Sequence, residues 1–153
     1  MPDKYFGKYT GIVRDNRDPD NLGKLQVSVP TIFPEDDLVT ARPALPYGFY
    51  FVPEIGAKVW MEFEGGDSGL PIWTGLQYTP GEWPAEGQAD PPQRRVIKTP
   101  SGHVVIMNDI RGEEGIEIMS NARIVIRCLG TVEIQAPNII INGRPVARLP
   151  RPI

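Results

Sequence analysis

Few side chains in this sequence could do catalytic or metal chemistry, and each stands apart from the partners it would need. His103 is the only histidine and Cys128 the only cysteine. A cysteine nucleophile needs an activating base, and the single histidine is distant in sequence. Cys128 instead shares the alternation of Ile124 and Ile126, which predicts a small buried hydrophobic residue.

His103 allows one further possibility, because three copies of a chain could place three imidazoles around a common axis and bind a metal ion. The preceding "SGH" is typical of a turn that leads into the strand "VVIM". We therefore expect His103 to be a polar residue at the start of a strand and predict no metal site.

Two acidic stretches are the remaining candidates for chemistry. "PEDD" (34–37) and "EFEGGD" (62–67) could suggest a pair of glycosidase carboxylates or a cation site. Acidic loops are more often solvated surface, and the glycines of "EGGDSG" form turns without the GK[ST] of a phosphate-binding loop. The sequence therefore predicts no catalytic residue and no cofactor.

The composition is typical of an ordinary soluble protein. The chain has 153 residues, 41% hydrophobic and 23% charged, which suits one domain or two small ones. A lone cysteine excludes an internal disulfide and fits a reducing cytoplasm. The sequence contains no apolar run of the roughly 18–20 residues that a membrane span needs, and the opening "MPDKYFGKYTG" has no apolar signal core. We therefore expect neither a membrane span nor secretion by a cleaved signal.

Charge and aromatic residues divide the chain into two regions. Residues 1–90 carry 7 Lys and Arg against 14 Asp and Glu, a net charge of −7, whereas residues 91–153 carry 9 against 5, a net charge of +4. No aromatic residue follows Trp83. The acidic first region disfavours phosphate contacts, and the basic second region lacks a Lys/Arg cluster interleaved with aromatics, so we expect no nucleic-acid partner.

The first region predicts a small β-barrel. Apolar and polar residues alternate over 8–15, 25–29, 58–67 and 70–78, and turns rich in Gly, Pro, Asn and Asp separate these strands. The stretch from residue 31 to 51, with its three prolines and an acidic knot at 35–37, predicts irregular structure. Short strands at this spacing indicate a barrel domain over residues 1–80.

A proline-rich linker over residues 81–95 and a second domain over 96–153 follow the barrel. The second domain is a ladder of short strands: "VIKTPSGHVVIMND", "GIEIMS", "ARIVIRC", "GTVEIQA" and "NIIING". Such a short meander would bury little apolar surface alone, whereas three chains around one axis could turn their aliphatic faces inward and leave no open sheet edge. The predicted trimer core consists of Val105, Met107, Ile116, Ile118, Ile124, Ile126, Cys128, Val132, Ile134, Ile139 and Ile141.

Three ordered segments resemble the central spike proteins of contractile injection systems. This family includes phage baseplate assembly protein V, the T4-type tail spike and the valine-glycine-repeat spikes of type VI secretion. "YFGKYTGIVRDNRDPDNLGKLQVSVP" and "GFYFVPEIGAKVWMEFEGGDSGLPIWTG" resemble the family's oligonucleotide/oligosaccharide-binding (OB) barrel, and "RRVIKTPSGHVVIMNDIRGEEGIEI" resembles the entry into its triple-stranded β-helix.

The resemblance implies an all-β homotrimer, with an N-terminal OB-type barrel followed by an intertwined triple-stranded β-helix that forms a membrane-piercing needle. It implies a structural protein without enzymatic activity or cofactor, located in a virion tail baseplate or an injection particle. The expected partners are baseplate hub and tail tube proteins above and the target cell envelope transiently. Below, the C-terminal residues either cap the prism themselves or receive a separate tip protein, which we favour over a frayed basic tail. The C-terminal residues expected at that distal tip are Arg144, Val146, Arg148, Leu149 and Ile153.

Two other functions fit the residues. The chain could be an OB-type module that binds a carbohydrate or a protein, with the β-rich region serving as a trimerising stalk. It could also be a cell-wall hydrolase, although the barrel passes almost directly into the predicted needle and leaves no room for an inserted lysozyme domain. Because a fold alone does not define function, these alternatives stay open at the level of sequence.

Overall fold

The computed structural model describes residues 4–146 and divides into two compact units, with the boundary between Ala85 and Glu86. The described structure is built from short β-strands and two single-turn 3₁₀ helices, Glu64–Gly66 and Ala85–Gly87. The strands are β1 (Tyr9–Asp15), β2 (Leu25–Ser28), β3 (Leu38–Pro43), β4 (Lys58–Phe63), β5 (Pro71–Leu76), β6 (Arg94–Lys98), β7 (Val104–Asn108), β8 (Gly115–Met119), β9 (Ile140–Ile141) and β10 (Arg144–Pro145).

The first unit is a closed five-stranded barrel with the strand order β1-β2-β3-β5-β4. Its neighbouring strands are antiparallel except for β3 and β5, which run parallel and place Arg42 opposite Ile72. β4 then returns to β1, where Gly11 lies opposite Val59. Closure pairs both edges of the sheet, so the barrel offers no lateral edge to another chain.

Alternating side chains of the five strands fill the barrel. Val13, Val27, Val59, Met61 and Trp73 are almost completely buried. The indole Nε1–H of Trp73 donates a 3.0 Å hydrogen bond to the carbonyl of Gly23, so the largest core residue buries its polar group with a partner. The alternation predicted for these strands is therefore what builds the core.

A small residue in β1 allows the strands to close tightly. A Cβ atom at Gly11 would lie 2.5 Å from Val27 Cγ1 and 2.6 Å from Met61 Cγ. Both neighbours are fully buried core side chains, so neither could move without disturbing the packing. Glycine at position 11 is therefore a packing requirement of the barrel.

The prediction that residues 31–51 are irregular was wrong over β3. Leu38–Pro43 pairs with β2, and Val27 lies opposite Val39. Only Ala41 of this strand is fully buried, so its apolar face is small and is difficult to recognise between an acidic stretch and prolines. The parallel pairing with β5 makes β3 the strand that completes the barrel.

The second unit contains a three-stranded antiparallel sheet and a short hairpin. The sheet has the order β6-β7-β8, with Val96 opposite Ile106 and Ile106 opposite Glu117. The hairpin joins β9 to β10 through Asn142 and Gly143, whose φ values of 50° and 73° fit the Asn-Gly turn that favours hairpins.

Two strands predicted from the alternation in "ARIVIRC" and "GTVEIQA" do not form within the described single chain. Residues 120–139 contain no strand there, and nearly all of these residues are exposed. Alternation supplies an apolar face, but a strand also needs a neighbour for its backbone N–H and C=O groups. The described part of this chain supplies no neighbouring strand for either of these two segments.

The proline-rich segment contains local contacts on both sides of the unit boundary. In the first unit, the Tyr78 and Trp83 rings stack with centroids 3.9 Å apart, and the Glu82 carboxylate accepts a hydrogen bond of 2.6 Å from Thr79 N–H. In the second unit, Lys98 Nζ donates a 2.7 Å hydrogen bond to the Glu86 carboxylate. These contacts give definite local structure to parts of a segment that composition alone describes as a linker.

Candidate assembly surfaces

The three-stranded sheet of the second unit has one covered face and one open face. Strand register places Val96, Val104 and Ile106 on one side, where Val104 and Ile106 are buried. The opposite side, which we call the open face, carries five apolar residues and Arg95; the apolar residues are Ile97, Val105, Met107, Ile116 and Ile118. Ile116 and Ile118 of the edge strand β8 are 73% and 63% exposed, which is unusual for isoleucines on an apolar sheet face.

The covered face receives the chain that precedes the sheet. The backbone of Gly87 passes so near Val96 that a Cβ there would be 3.5 Å from the valine Cγ2. Glu86 forms an ion pair with Lys98, and the hydrogen bond from Lys98 holds the pKa of Glu86 below its ordinary value. Sequence reasoning missed this role, because it assigned only Val105 and Met107 of β7 to a core and assigned no burial to Val104 and Ile106.

The predicted trimer-core residues differ in how far the described chain brings them together. Val105 lies opposite Ile118 and Met107 opposite Ile116, so four of the predicted residues form one continuous apolar surface. The other seven follow β8 in the chain, and six of them are exposed while Ile139 is partly covered; they are Ile124, Ile126, Cys128, Val132, Ile134, Ile139 and Ile141. Whether all eleven share a trimer core stays a prediction.

The predicted distal tip is described only in part. Arg144 lies in β10 opposite Ile141, and Val146 N–H donates a 2.8 Å hydrogen bond to the carbonyl of Ile139. The remaining predicted tip residues, Arg148, Leu149 and Ile153, lie outside the described residues.

His103 joins the turn that precedes β7 to the residues that follow β8. Its Nδ1 lies 3.1 Å from Ser120 Oγ, and Ser120 Oγ also accepts a 3.2 Å hydrogen bond from Ala122 N–H. Asn121 Nδ2 donates to the carbonyl of Ser101 at 3.0 Å, next to the same turn. Residues 4–146 contain no group of three or more His, Cys, Asp or Glu side chains that could hold a metal ion. The geometry of His103 is that of a residue that stabilises a turn.

The acidic stretches of the barrel form surface ion pairs. Glu35 lies 2.8 Å from the Arg14 guanidinium, Glu62 pairs with Lys8, and Glu64 pairs with Arg42. Ion pairs this exposed contribute between about 0 and 1 kcal/mol each. Among the helices that the structure describes, none has the length and hydropathy required to cross a bilayer.

A loop of the barrel, whose residues up to 51 were predicted to be irregular, exposes an unusual number of aromatic rings. We call residues 44–57 the aromatic loop. Tyr47, Phe49, Tyr50 and Phe51 are all exposed, whereas Val52 of the same loop packs against the barrel core. The signal available in the sequence was "YGFYF", with four aromatic residues in five positions, but the sequence does not say whether they face the core or solvent.

The barrel also matches a known protein family. Residues 9–78, which contain β1 to β5, match the model of a family described as the type VI secretion system/phage-baseplate injector OB domain. No curated protein matches the chain. The match confirms the resemblance in the first unit, while the three-stranded sheet and the residues after it lie outside the matched range.

Proposed function

We propose that this chain, whose residues 9–78 match the injector OB domain of the type VI secretion and phage-baseplate family, is the trimeric central spike of a contractile phage tail or a phage-like injection machine. The family supports a structural role related to the baseplate. The open face of the second unit is the observation that supports a trimeric spike. An apolar surface that is exposed in the single chain favours association with further chains.

Association of three chains would bury the apolar side chains that the second unit exposes to water. Each isoleucine or valine side chain that moves from water into a packed interior contributes about 1.5–3 kcal/mol before the loss of conformational entropy is subtracted. Chains of a shared prism would also supply backbone partners for residues 120–139. In this arrangement the residues after Val96 form an intertwined triple-stranded β-helix, with the predicted core residues, Cys128 included, on its axis.

A continuous hydrogen-bonded prism is stiff along its axis, which suits a needle driven through a cell envelope. In the proposed assembly the barrels sit below the tail tube and hub, and the C-terminal residues form the tip or receive a separate tip protein. The protein acts mechanically in the virion tail or injection particle and performs no catalysis.

Light scattering coupled to size-exclusion chromatography tests the proposal on the full chain. We expect the mass of three chains of 17.0 kDa each. Ile126→Asp should abolish the trimer, because it places three carboxylates on a dry axis. Val125→Asp is the matched control: Val125 is also exposed in the single chain, but its parity places it on the outside of the prism, so this variant should stay trimeric.

A wild-type protein that is monomeric at micromolar concentration would contradict the spike. If Ile126→Asp leaves the trimer intact, or if both substitutions disrupt it equally, the assignment of Ile126 to the inside and Val125 to the outside of the prism is contradicted. Labelling of the chain in intact particles, followed by electron microscopy, should place it at the end of the tail tube.

A further inference from the structure

The two faces of the three-stranded sheet differ in burial along a single strand. Val104 and Ile106 of β7 are 5% and 8% exposed, whereas Met107, which the same strand turns to the open face, is 38% exposed. β7 is the central strand and has β6 and β8 beside it on both faces alike, so strand pairing does not explain this difference. A further layer of chain therefore lies over Val104 and Ile106.

The covered face is apolar at its centre. Register aligns two rows of residues across it: Lys98, Val104 and Met119, then Val96, Ile106 and Glu117. A sheet that presented both this face and the open face to water would be apolar on two opposite sides. Large exposed apolar patches promote association, and contacts made through two different faces do not close on themselves.

Residues 86–93, which we call the strap, lead into β6 and lie against the covered face. A Cβ atom at Gly87 would be 3.5 Å from Val96 Cγ2, and both Gly87 and Ala89 are partly buried. Pro91 and Pro92 have no backbone N–H and so cannot donate to a neighbouring strand. The composition of the strap therefore favours a cover over the sheet and disfavours a fourth strand beside it.

The strap is fixed at both of its ends. At one end the carbonyl of Gln93 accepts a 3.0 Å hydrogen bond from Asp109 N–H. At the other end Lys98 Nζ donates a 2.7 Å hydrogen bond to the Glu86 carboxylate. Within residues 4–146, this is the one hydrogen bond that joins residues 86–92 to the sheet. Release of the Glu86–Lys98 pair would therefore free the strap along most of its length.

The Glu86–Lys98 pair is partly withdrawn from water. Its side chains are 28% and 34% exposed, whereas those of the neighbouring Arg95–Asp109 pair are 58% and 64% exposed. Oε2 of Glu86 is buried and has no hydrogen-bond partner among the described residues. Without Lys98, this carboxylate would regain hydration by moving into solvent, and the strap would lift with it.

We propose that the strap is an autoinhibitory cover, held closed by the Glu86–Lys98 pair, that withdraws one apolar face of the sheet from association. With the strap closed, further copies of the chain bind through the open face alone, and the assembly stops at a closed ring of chains. With the strap lifted, both faces accept copies and association becomes open-ended. The strap belongs to a single chain; that three copies share the open face rests on the proposed spike.

Thiol labelling of the full-length chain measures whether the strap is closed. In a Cys128→Ala background, the thiol introduced by Val104→Cys should react slowly with N-ethylmaleimide. Lys98→Gln should raise that rate by about tenfold or more, because it leaves the Glu86 carboxylate without its cation. Arg111→Gln is the matched control: it removes the same charge from an exposed residue for which the described chain shows no ion pair, and the rate should not change.

Two further variants test the ion pair itself. Glu86→Gln also breaks the pair but leaves no carboxylate in the site, so it should accelerate labelling less than Lys98→Gln does. The reversed pair Glu86→Lys/Lys98→Glu should restore slow labelling. Circular dichroism checks that each variant is folded. If the reversed pair labels as fast as Lys98→Gln, the pair does not hold the strap and the proposal is overturned.

Light scattering on the same samples measures the consequence for association. The wild-type chain should have the mass of a trimer, and Lys98→Gln should form larger species that grow with concentration. Fast labelling without Lys98→Gln, or a rate that Lys98→Gln leaves unchanged, would overturn the strap while the spike stands. Fast labelling of a Lys98→Gln variant that stays trimeric would overturn the inhibitory role. A wild-type monomer would instead overturn the spike, and the labelling rates would still decide the strap because they are read within one chain.

Discussion

The two units of this protein use the same kind of alternating strand and reach opposite degrees of burial. In the barrel, Val13, Val27 and Val59 have no exposed surface, whereas Ile116 and Ile118 of the three-stranded sheet stand mostly in water. Five strands that close on themselves bury their inner face within one chain. Three strands cover only one face of their sheet, here with the chain that precedes them. The two units therefore differ in burial because the barrel sheet closes on itself and the three-stranded sheet does not. The type of residue in the strands does not by itself determine how far they are buried.

We expect the largest loss of stability when a side chain of the barrel core is removed. Trp73→Ala removes the largest fully buried side chain and leaves the carbonyl of Gly23 without its indole donor. We expect the free energy of unfolding to fall by about 3–5 kcal/mol, measured by urea denaturation followed by circular dichroism.

Trp83→Ala provides the control for that measurement. Trp83 belongs to the same unit, is 62% exposed and contacts Tyr78 by stacking. Its loss should cost no more than about 0.5–1.5 kcal/mol. If the two substitutions had equal effects, the barrel would not be the self-contained core that distinguishes it from the second unit.

A second prediction separates burial within one chain from burial between chains. Val27→Ala should destabilise the barrel by about 2 kcal/mol at every protein concentration, because its neighbours belong to the same chain. Ile118→Ala should instead lower the stability of the trimer, with an effect that depends on concentration since association is part of the equilibrium.

Thermal unfolding over a hundredfold range of protein concentration makes the distinction. The barrel transition of the Val27 variant should shift from wild type by the same amount throughout. An Ile118 variant whose shift is independent of concentration, with its trimer mass unchanged, would place that side chain inside a single subunit and contradict the shared core.

Sequence reasoning succeeded where a strand finds its neighbours in its own chain. The alternation of Leu25 and Val27, and of Val59 and Met61, located β2 and β4, because both faces of those strands are determined by one barrel. It missed β3, where Ala41 is the one fully buried side chain. Local pattern could not reveal that a parallel pairing with β5 would make those six residues a strand.

The surfaces were harder to predict than the strands. The register of β7 and β8 places Val105, Met107, Ile116 and Ile118 on one face, and their role in a trimer core stays a prediction. Alternation did not show that Val104 and Ile106, on the other face, would be buried. The aromatic loop was missed because Leu45 and Val52 pack inward while Tyr47 and Phe49 face solvent, and no simple period relates them.

The smallest predicted effect concerns the response of the barrel to acid. The hydrogen bonds from Arg17 lower the pKa of Asp15 to about 2, from an ordinary value of 3.8. The folded barrel therefore favours the carboxylate, and this contribution is fully present above pH 3.8 and disappears as the pH falls through about 2. Asp15→Asn should lower stability slightly at pH 7 and make the decline below pH 4 less steep.

Urea midpoints measured between pH 7 and 2 provide the test, with Asp36→Asn as the control. Asp36 is an exposed carboxylate of the same barrel, and no described residue forms an ion pair with it. Its substitution should leave the slope of the acid decline unchanged. Because Asp15 and Arg17 belong to one chain, the change caused by Asp15→Asn should be the same at every protein concentration. An acid response that varied with concentration would mean that the barrel, like the open face of the second unit, depends on other chains for its stability.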